Sequence, residues 1–356
     1  MSIKRRLFVG AGIAGVVGFG AAYRFALQYR ARVGWPHRHP IEGSPADFGL
    51  AFESVAIPSG ALELAGWFVP VEGGRVGPAV VVVHGWESNR GRSLAHVRYL
   101  HAAGFHCLVV DVRGHGDSPT EDLPINVPEF ADDTIAAVRW LCRRTYITRV
   151  GVLGHSMGGA GALVAASREP LVEAVVAMSA PADLVYMTRK TFDMAEMHIP
   201  EPIATPLAWF TAALLLAPRR LGLEAASARV AAARYHGPLL LIHGAQDRGV
   251  PVEHLEMIGR AAEDHRGSDD PEVETLVLPE FGHRWLYEDV RCRRLVAGFF
   301  ARWLGGVDTE AAADRAAEVD VRRPDDPVFG FGALASKASA PTSGSPAAGP
   351  AESEAE

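Results

Sequence analysis

The residues best suited to covalent chemistry are Gly154-His155-Ser156-Met157-Gly158. They fall between an apolar run, Val150-Gly151-Val152-Leu153, that reads as a strand, and a helical stretch beginning at Met157. A serine on so sharp a strand-to-helix turn is held in a strained backbone conformation that lifts its hydroxyl out of the sheet. Glycines on either side let neighbouring backbone pass without clash. Free N–H groups at the start of the following helix can receive a developing oxyanion. The chemistry this predicts is attack by Ser156 on a carbonyl carbon. A five-residue pattern occurs by chance, and its setting between strand and helix is what makes it specific.

Such a turn needs a sheet to stand on, and the chain supplies one. Residues 52–57 and 62–69 alternate in polarity around Pro58-Ser59-Gly60 and predict an antiparallel hairpin. Ala79-Val80-Val81-Val82-Val83 is an unbroken apolar run of the kind buried on both faces of a parallel sheet. Further strands are expected at 105–110, 149–153, 172–178, 239–242 and 273–278, with helices at 93–103, 127–144, 157–168 and 284–304 between or after them. This alternation predicts an α/β fold whose central sheet is mostly parallel and covered by helices on both faces. Chemistry in such sheets gathers at the carboxyl ends of the strands. His84, Asp111, Ser156, Asp183 and Asp247 each come just after an apolar run, which is the expected pattern.

With its elbow in that setting, the chain from about Phe52 to Leu304 resembles the α/β-hydrolase superfamily, of the serine esterase and lipase kind. The resemblance implies a nucleophile, an acid and a base in that chain order. Leu241-Ile242-His243-Gly244-Ala245-Gln246-Asp247 looks like the acid-bearing loop, and Pro279-Glu280-Phe281-Gly282-His283 looks like the histidine loop. His283 is then the general base and Asp247 the group that orients it. Asp183 is the alternative acid, since some relatives carry theirs after the strand that follows the nucleophile. Asp111 lies in a segment resembling a structural one. His84-Gly85-Trp86 resembles the oxyanion turn, so that backbone N–H groups of Trp86 and Met157 would receive the tetrahedral oxygen. His155 and His243 read as packing or supporting residues. The implied reaction is hydrolysis of an ester or thioester through an acyl-serine, with no cofactor and no metal. An acyltransferase or a cofactor-free peroxidase using the same triad, or a non-catalytic membrane-tethered scaffold, are the alternatives.

Residues 46–182 and 238–305 form the expected core. Residues 183–237 interrupt the alternation with Met187, Phe192, Met194, Met197, Trp209, Phe210 and several prolines, and predict an inserted helical cap whose apolar side chains suit a lipophilic acyl chain. Residues 306–356 are rich in Ala, Pro, Ser, Asp and Glu and are expected to be disordered. Residues 1–34 form a membrane anchor or signal segment. Lys4-Arg5-Arg6 precedes an apolar stretch from Leu7 to Ala22, and residues 7–23 are expected to contact a bilayer, with a twin-arginine export signal as the alternative. Gly10-Ala11-Gly12-Ile13-Ala14-Gly15 matches a dinucleotide fingerprint in letters only, because no strand can precede it. The 356 residues carry a formal charge of −7, and no basic stripe suggests nucleic acid as a partner. The three cysteines are too few and scattered for a disulfide framework, and Cys107 and Cys142 read as buried thiols.

Overall fold

The computed structural model describes residues 3–321, with side chains from Val16 onward. Its frame is one sheet of strands β1 (Glu53–Ser59), β2 (Leu62–Val69), β3 (Gly77–Val83), β4 (His106–Val110), β5 (Ile147–His155), β6 (Ala174–Met178), β7 (Leu239–Gly244) and β8 (Val273–Leu278), in the order β1-β2-β4-β3-β5-β6-β7-β8. The β1–β2 hairpin pairs antiparallel with β4, and every pairing from β4 to β8 is parallel. The β-branched run of β3 explains its central position. Val80 and Val82 bury toward one face, Val81 and Val83 toward the other, and all four are almost wholly inaccessible. Full burial of one such side chain contributes about 2 kcal/mol.

Helices α3 (Val127–Cys142), α4 (Met157–Ala166), α7 (Ala228–Ala232) and α8 (Glu253–Glu263) cover the first core. Helices α2 (Leu94–Ala103), α9 (Val290–Leu304) and α10 (Thr309–Glu318) cover the second. The expected doubly covered sheet is therefore the observed one. Parallel register aligns the strand ends that matter. Val83 pairs with Gly154, His155 with Met178, and Gly244 with Leu278, so the loops after β3, β5, β7 and β8 emerge on one rim.

Three expectations need correction. The segment after residue 305 does not lose order at once, since α10 packs on α2 and α9. Asp308 caps it through Ala311 N–H at 2.8 Å, and Ala312 and Ala316, one turn apart, supply a fully buried face too small to stand out in composition. Residues 322–356 lie outside the described residues. Cys142, at the end of α3, is exposed, because the apolar stripe of that helix faces another way.

The third correction concerns the ends of the cap. Helices α5 (Leu184–Met194) and α6 (Glu201–Leu216) are joined by a helix from outside the insertion, α1 (Ile3–Val33). Phe25 and Tyr29 of α1 meet the buried ring of Phe192 at 5.5 and 6.0 Å between centroids, and Phe19 meets Phe210 at 5.7 Å. The second half of α1 is thus a third cap helix, not a free tether. Among the described residues no helix is long and apolar enough to cross a membrane. The side chains of residues 7–15 of the expected bilayer segment, and of Lys4-Arg5-Arg6, lie outside the described set.

Candidate active site

Ser156 directly follows β5 and caps α4 with φ 55° and ψ −122°, a conformation that a non-glycine residue adopts only under constraint. Two close approaches impose it. A Cβ on Gly158 would collide with the carbonyl oxygens of Val83 and His84, and a Cβ on Gly154 would collide with the backbone of Gly158. The turn can be this tight only with glycine at both places. The Ser156 N–H donates to Met178 carbonyl at 2.8 Å, fixing the elbow to β6.

The loop after β8 brings His283 to this serine. Its Nε2 lies 2.9 Å from Ser156 Oγ, and its Nδ1 lies 2.7 Å from Asp247 Oδ2. A carboxylate only accepts, so Nδ1 carries the proton and Nε2 is free to accept from the serine hydroxyl. Asp247 is itself completely engaged. Oδ1 accepts from the N–H groups of Gly249 at 2.9 Å and Val250 at 2.8 Å, and Oδ2 also faces His243 Nε2 at 3.3 Å. Burial would push this carboxyl up, but hydrogen bonds from His243 and His283, the charge of His283 and the Val250 amide outweigh it and hold the group well below the usual carboxylate range.

The rival acids are accounted for elsewhere. Asp183 caps α5 through the N–H groups of Val185 at 2.8 Å and Tyr186 at 3.3 Å. Asp111 is fully buried and ion-paired to Arg90, whose N–H it also accepts at 2.6 Å.

Gly85 lets the turn after β3 pass against the nucleophile, since a Cβ there would stand 3.0 Å from Ser156 Cβ. Among the described residues neither Trp86 N–H nor Met157 N–H has an acceptor, so both are available to a substrate oxygen. Two histidines support this rim in ways that motif spacing does not reveal. His84 donates from Nδ1 to Gly85 carbonyl at 2.7 Å and accepts from Val112 N–H at 3.1 Å on Nε2, pinning the turn. His155, within the elbow, donates from Nε2 to the carbonyl of His283 at 2.7 Å, tying the base-bearing loop to the nucleophile's own strand. Burial lowers His84 to about 4 and His155 to about 3, so both stay neutral and keep these roles through the physiological range.

The cavity that opens on Ser156 is walled by Trp86, by parts of the segment between Ser88 and Arg98, by Arg284–Tyr287, and by Phe48, Met178 and Val321. No residue from 183–237 lines it. The methionines expected to receive an acyl chain lie over the cap, with Met194 exposed. Among the described residues no group of three or more His, Cys, Asp or Glu side chains is placed to hold a metal ion.

A buried nucleophile elbow on the rim of a sheet of this order defines a class. Residues 78–215 match the family model for the alpha/beta hydrolase fold. The chain has the α/β-hydrolase fold, and the family match and relatives support a serine hydrolase in the general sense. It is 28% identical over 286 residues to an uncharacterized protein of Mycobacterium tuberculosis, covering 77% of this chain and 92% of that one. It is 33% identical over 120 residues to the sn-1-specific diacylglycerol lipase ABHD11 of Xenopus laevis, covering 33% of this chain and 37% of the lipase. In structure it resembles a Pyrococcus furiosus esterase, with a TM-score of 0.62 and 24% identity over 77% of this chain and 98% of the esterase.

Proposed function

We propose that this chain hydrolyses a carboxylic ester or thioester with an apolar acyl group, through an acyl-Ser156 intermediate. The single observation that carries the reading is the continuous relay Ser156 Oγ, His283 Nε2, His283 Nδ1, Asp247 Oδ2, with steps of 2.9 and 2.7 Å. Ser156 Oγ attacks the carbonyl carbon as His283 takes its proton, and Asp247 steadies the imidazolium. The carbonyl oxygen becomes an oxyanion received by the Trp86 and Met157 N–H groups, a pair in which each donor contributes about 3 kcal/mol. Collapse expels the alcohol or thiol with the proton from His283. Water, deprotonated by the same imidazole, then releases the acid. The aromatic walls Phe48, Trp86, Trp285 and Tyr287 suit an apolar acyl portion. The names of the lipase and esterase relatives agree with ester chemistry.

Stopped-flow mixing with para-nitrophenyl esters tests it. A burst of about one nitrophenolate per chain, followed by slower turnover, is expected. Faster turnover of matched peptide anilides than of esters would reject the ester reading.

Membrane association accompanies this reading. Supporting it are Val16, Phe19, Ile203 and Trp209, side chains on the paired helices α1 and α6 that are each more than half exposed. Exposed apolar side chains on these two helices, two of them within the Leu7–Ala22 stretch, fit a bilayer. The full chain is expected to sediment with anionic vesicles, and Trp209→Glu to weaken that. Recovery of the full chain in the supernatant would reject it.

A further inference from the structure

His84 pins the start of the oxyanion turn through Val112, and the Arg90 N–H pins its end through Asp111, but the middle is held from elsewhere. Among the described residues no backbone group of Trp86, Glu87 or Ser88 bonds to another part of the chain. Glu87 nevertheless has φ 51°, a left-handed conformation that a residue with a side chain keeps only where its surroundings impose it. The restraint comes from residues 37–42, which follow α1 and precede the matched segment 78–215. His37 N–H donates to Glu87 Oε1 at 3.2 Å. The fully buried Asn89 donates from Nδ2 to the carbonyls of His39 at 3.2 Å and Pro40 at 3.1 Å. A Cβ on Gly91 would stand 3.1 Å from both the Glu42 carbonyl oxygen and Ile41 Cγ2, so the two segments lie against each other. Residues 37–42 are themselves fixed. Arg38 donates to the Gly116 carbonyl at 3.2 Å, and just ahead of them the Gly34 carbonyl accepts from Ile125 N–H at 2.8 Å.

We propose that residues 37–42 are a strap that sets the Trp86 amide for oxyanion binding, with Glu87 and Asn89 as the positioning residues through which it acts. The proposal rests on the hydrolase reading above and deepens it. Neither side chain lines the cavity, so both work through the backbone of the turn. Glu87 folds the chain back one residue after the donor, and Asn89 ties the far end of the turn to the strap. The amide is then in place before charge develops and need not reorganise to meet it. A donor displaced by a fraction of an ångström leaves ground-state binding as it was and weakens the transition state, so the cost falls on kcat and not on KM.

An ester and its thionoester, para-nitrophenyl hexanoate and its C=S analogue, test it. Sulfur accepts hydrogen bonds poorly, so the ester-to-thionoester ratio in kcat reports the oxyanion donors and not general integrity. Asn89 also caps the Arg90–Ser93 turn, accepting from Arg92 N–H at 3.3 Å. Asn89→Ser keeps an oxygen for that cap and removes both donors to the strap. It is expected to lower ester kcat by about tenfold with KM little changed, and to lower the ratio by a similar factor. Glu87→Ala is expected to do the same by about fivefold, whereas Glu87→Gln, which keeps an acceptor for His37, should stay close to wild type. A ratio unmoved in both Asn89→Ser and Glu87→Ala overturns the proposal, as does a loss in Glu87→Gln equal to that in Glu87→Ala. If Asn89→Ser fails to fold, the two Glu87 variants decide alone, since that side chain is only half-buried. Wild type that turns over no ester defeats the hydrolase reading first. Hydrogen exchange at the Trp86 amide then decides the strap: faster exchange in Asn89→Ser than in wild type upholds it, and equal exchange overturns it.

Discussion

In the proposed reaction Asp247 keeps the Nδ1 proton of His283 in place, and four groups bond or face its carboxylate. Asp247→Asn should preserve the fold while presenting an N–H to the imidazole, forcing the wrong tautomer. A drop of about ten-thousandfold in kcat is expected from ester kinetics. His155 acts at one remove, through the carbonyl of His283. His155→Phe keeps the bulk and removes the donor, so kcat should fall by about tenfold with KM little changed. A loss confined to KM would assign His155 to the pocket wall instead. The candidate nucleophile stands out in the sequence because two glycines flank it between a strand and a helix. Asp247 and His283 were reachable only through family resemblance, since nothing in the sequence over a separation of 36 says that their loops meet. The duties of His84 and His155 were hidden for the same reason: each bonds a backbone atom on another loop, and backbone atoms leave no mark in residue type.

Among the elements, the strands were legible because burial on both faces demands continuous apolar runs, and β3 could be nothing else. Helix α10 was not, because alanine buries well against α9 and α2 yet reads as low complexity. Its anchor is Arg293 on α9, a buried guanidinium whose donors reach the carbonyls of Ala316 and Ala317 at the end of α10, and of Tyr287 and Glu288 beside the cavity, over 2.7–3.1 Å. Arg293→Met leaves four carbonyls, in bonds that are buried or partly buried, without that partner. A loss of about 3 kcal/mol in urea unfolding is expected, with KM raised because Tyr287 is a cavity wall. The cap differs from its expected purpose. Its apolar side chains suit an acyl chain by composition, whereas Phe192 and Phe210 pack against α1. An apolar stripe states that something covers it, never which element does.

Across the whole molecule, buried histidines set the response to acid. Burial lowers His84, His96 and His254 to about 4 and His115 and His155 to about 3, from an ordinary 6.5. Below pH 6.5 the unfolded chain takes up protons that the native one refuses. The stability these groups confer is therefore complete above pH 6.5 and lost as pH falls toward 4, by about 1.4 kcal/mol per pH unit for each fully engaged histidine. Glu129 works in the opposite sense. Burial, only partly offset by Arg219, raises it to about 7, and one such group cannot cancel several. A melting temperature that drops steeply between pH 6 and 4.5 is expected by calorimetry. A flat profile there would show that water reaches these rings.

Labelling with a fluorophosphonate, followed by peptide mapping, measures the central proposal most directly, because only an activated serine beside a working base reacts. Expected is a single adduct on the peptide containing Ser156, near stoichiometric in wild type, absent in Ser156→Ala, and slowed by at least about a thousandfold in His283→Ala. Equal labelling of all three proteins, or an adduct on another residue, would contradict it.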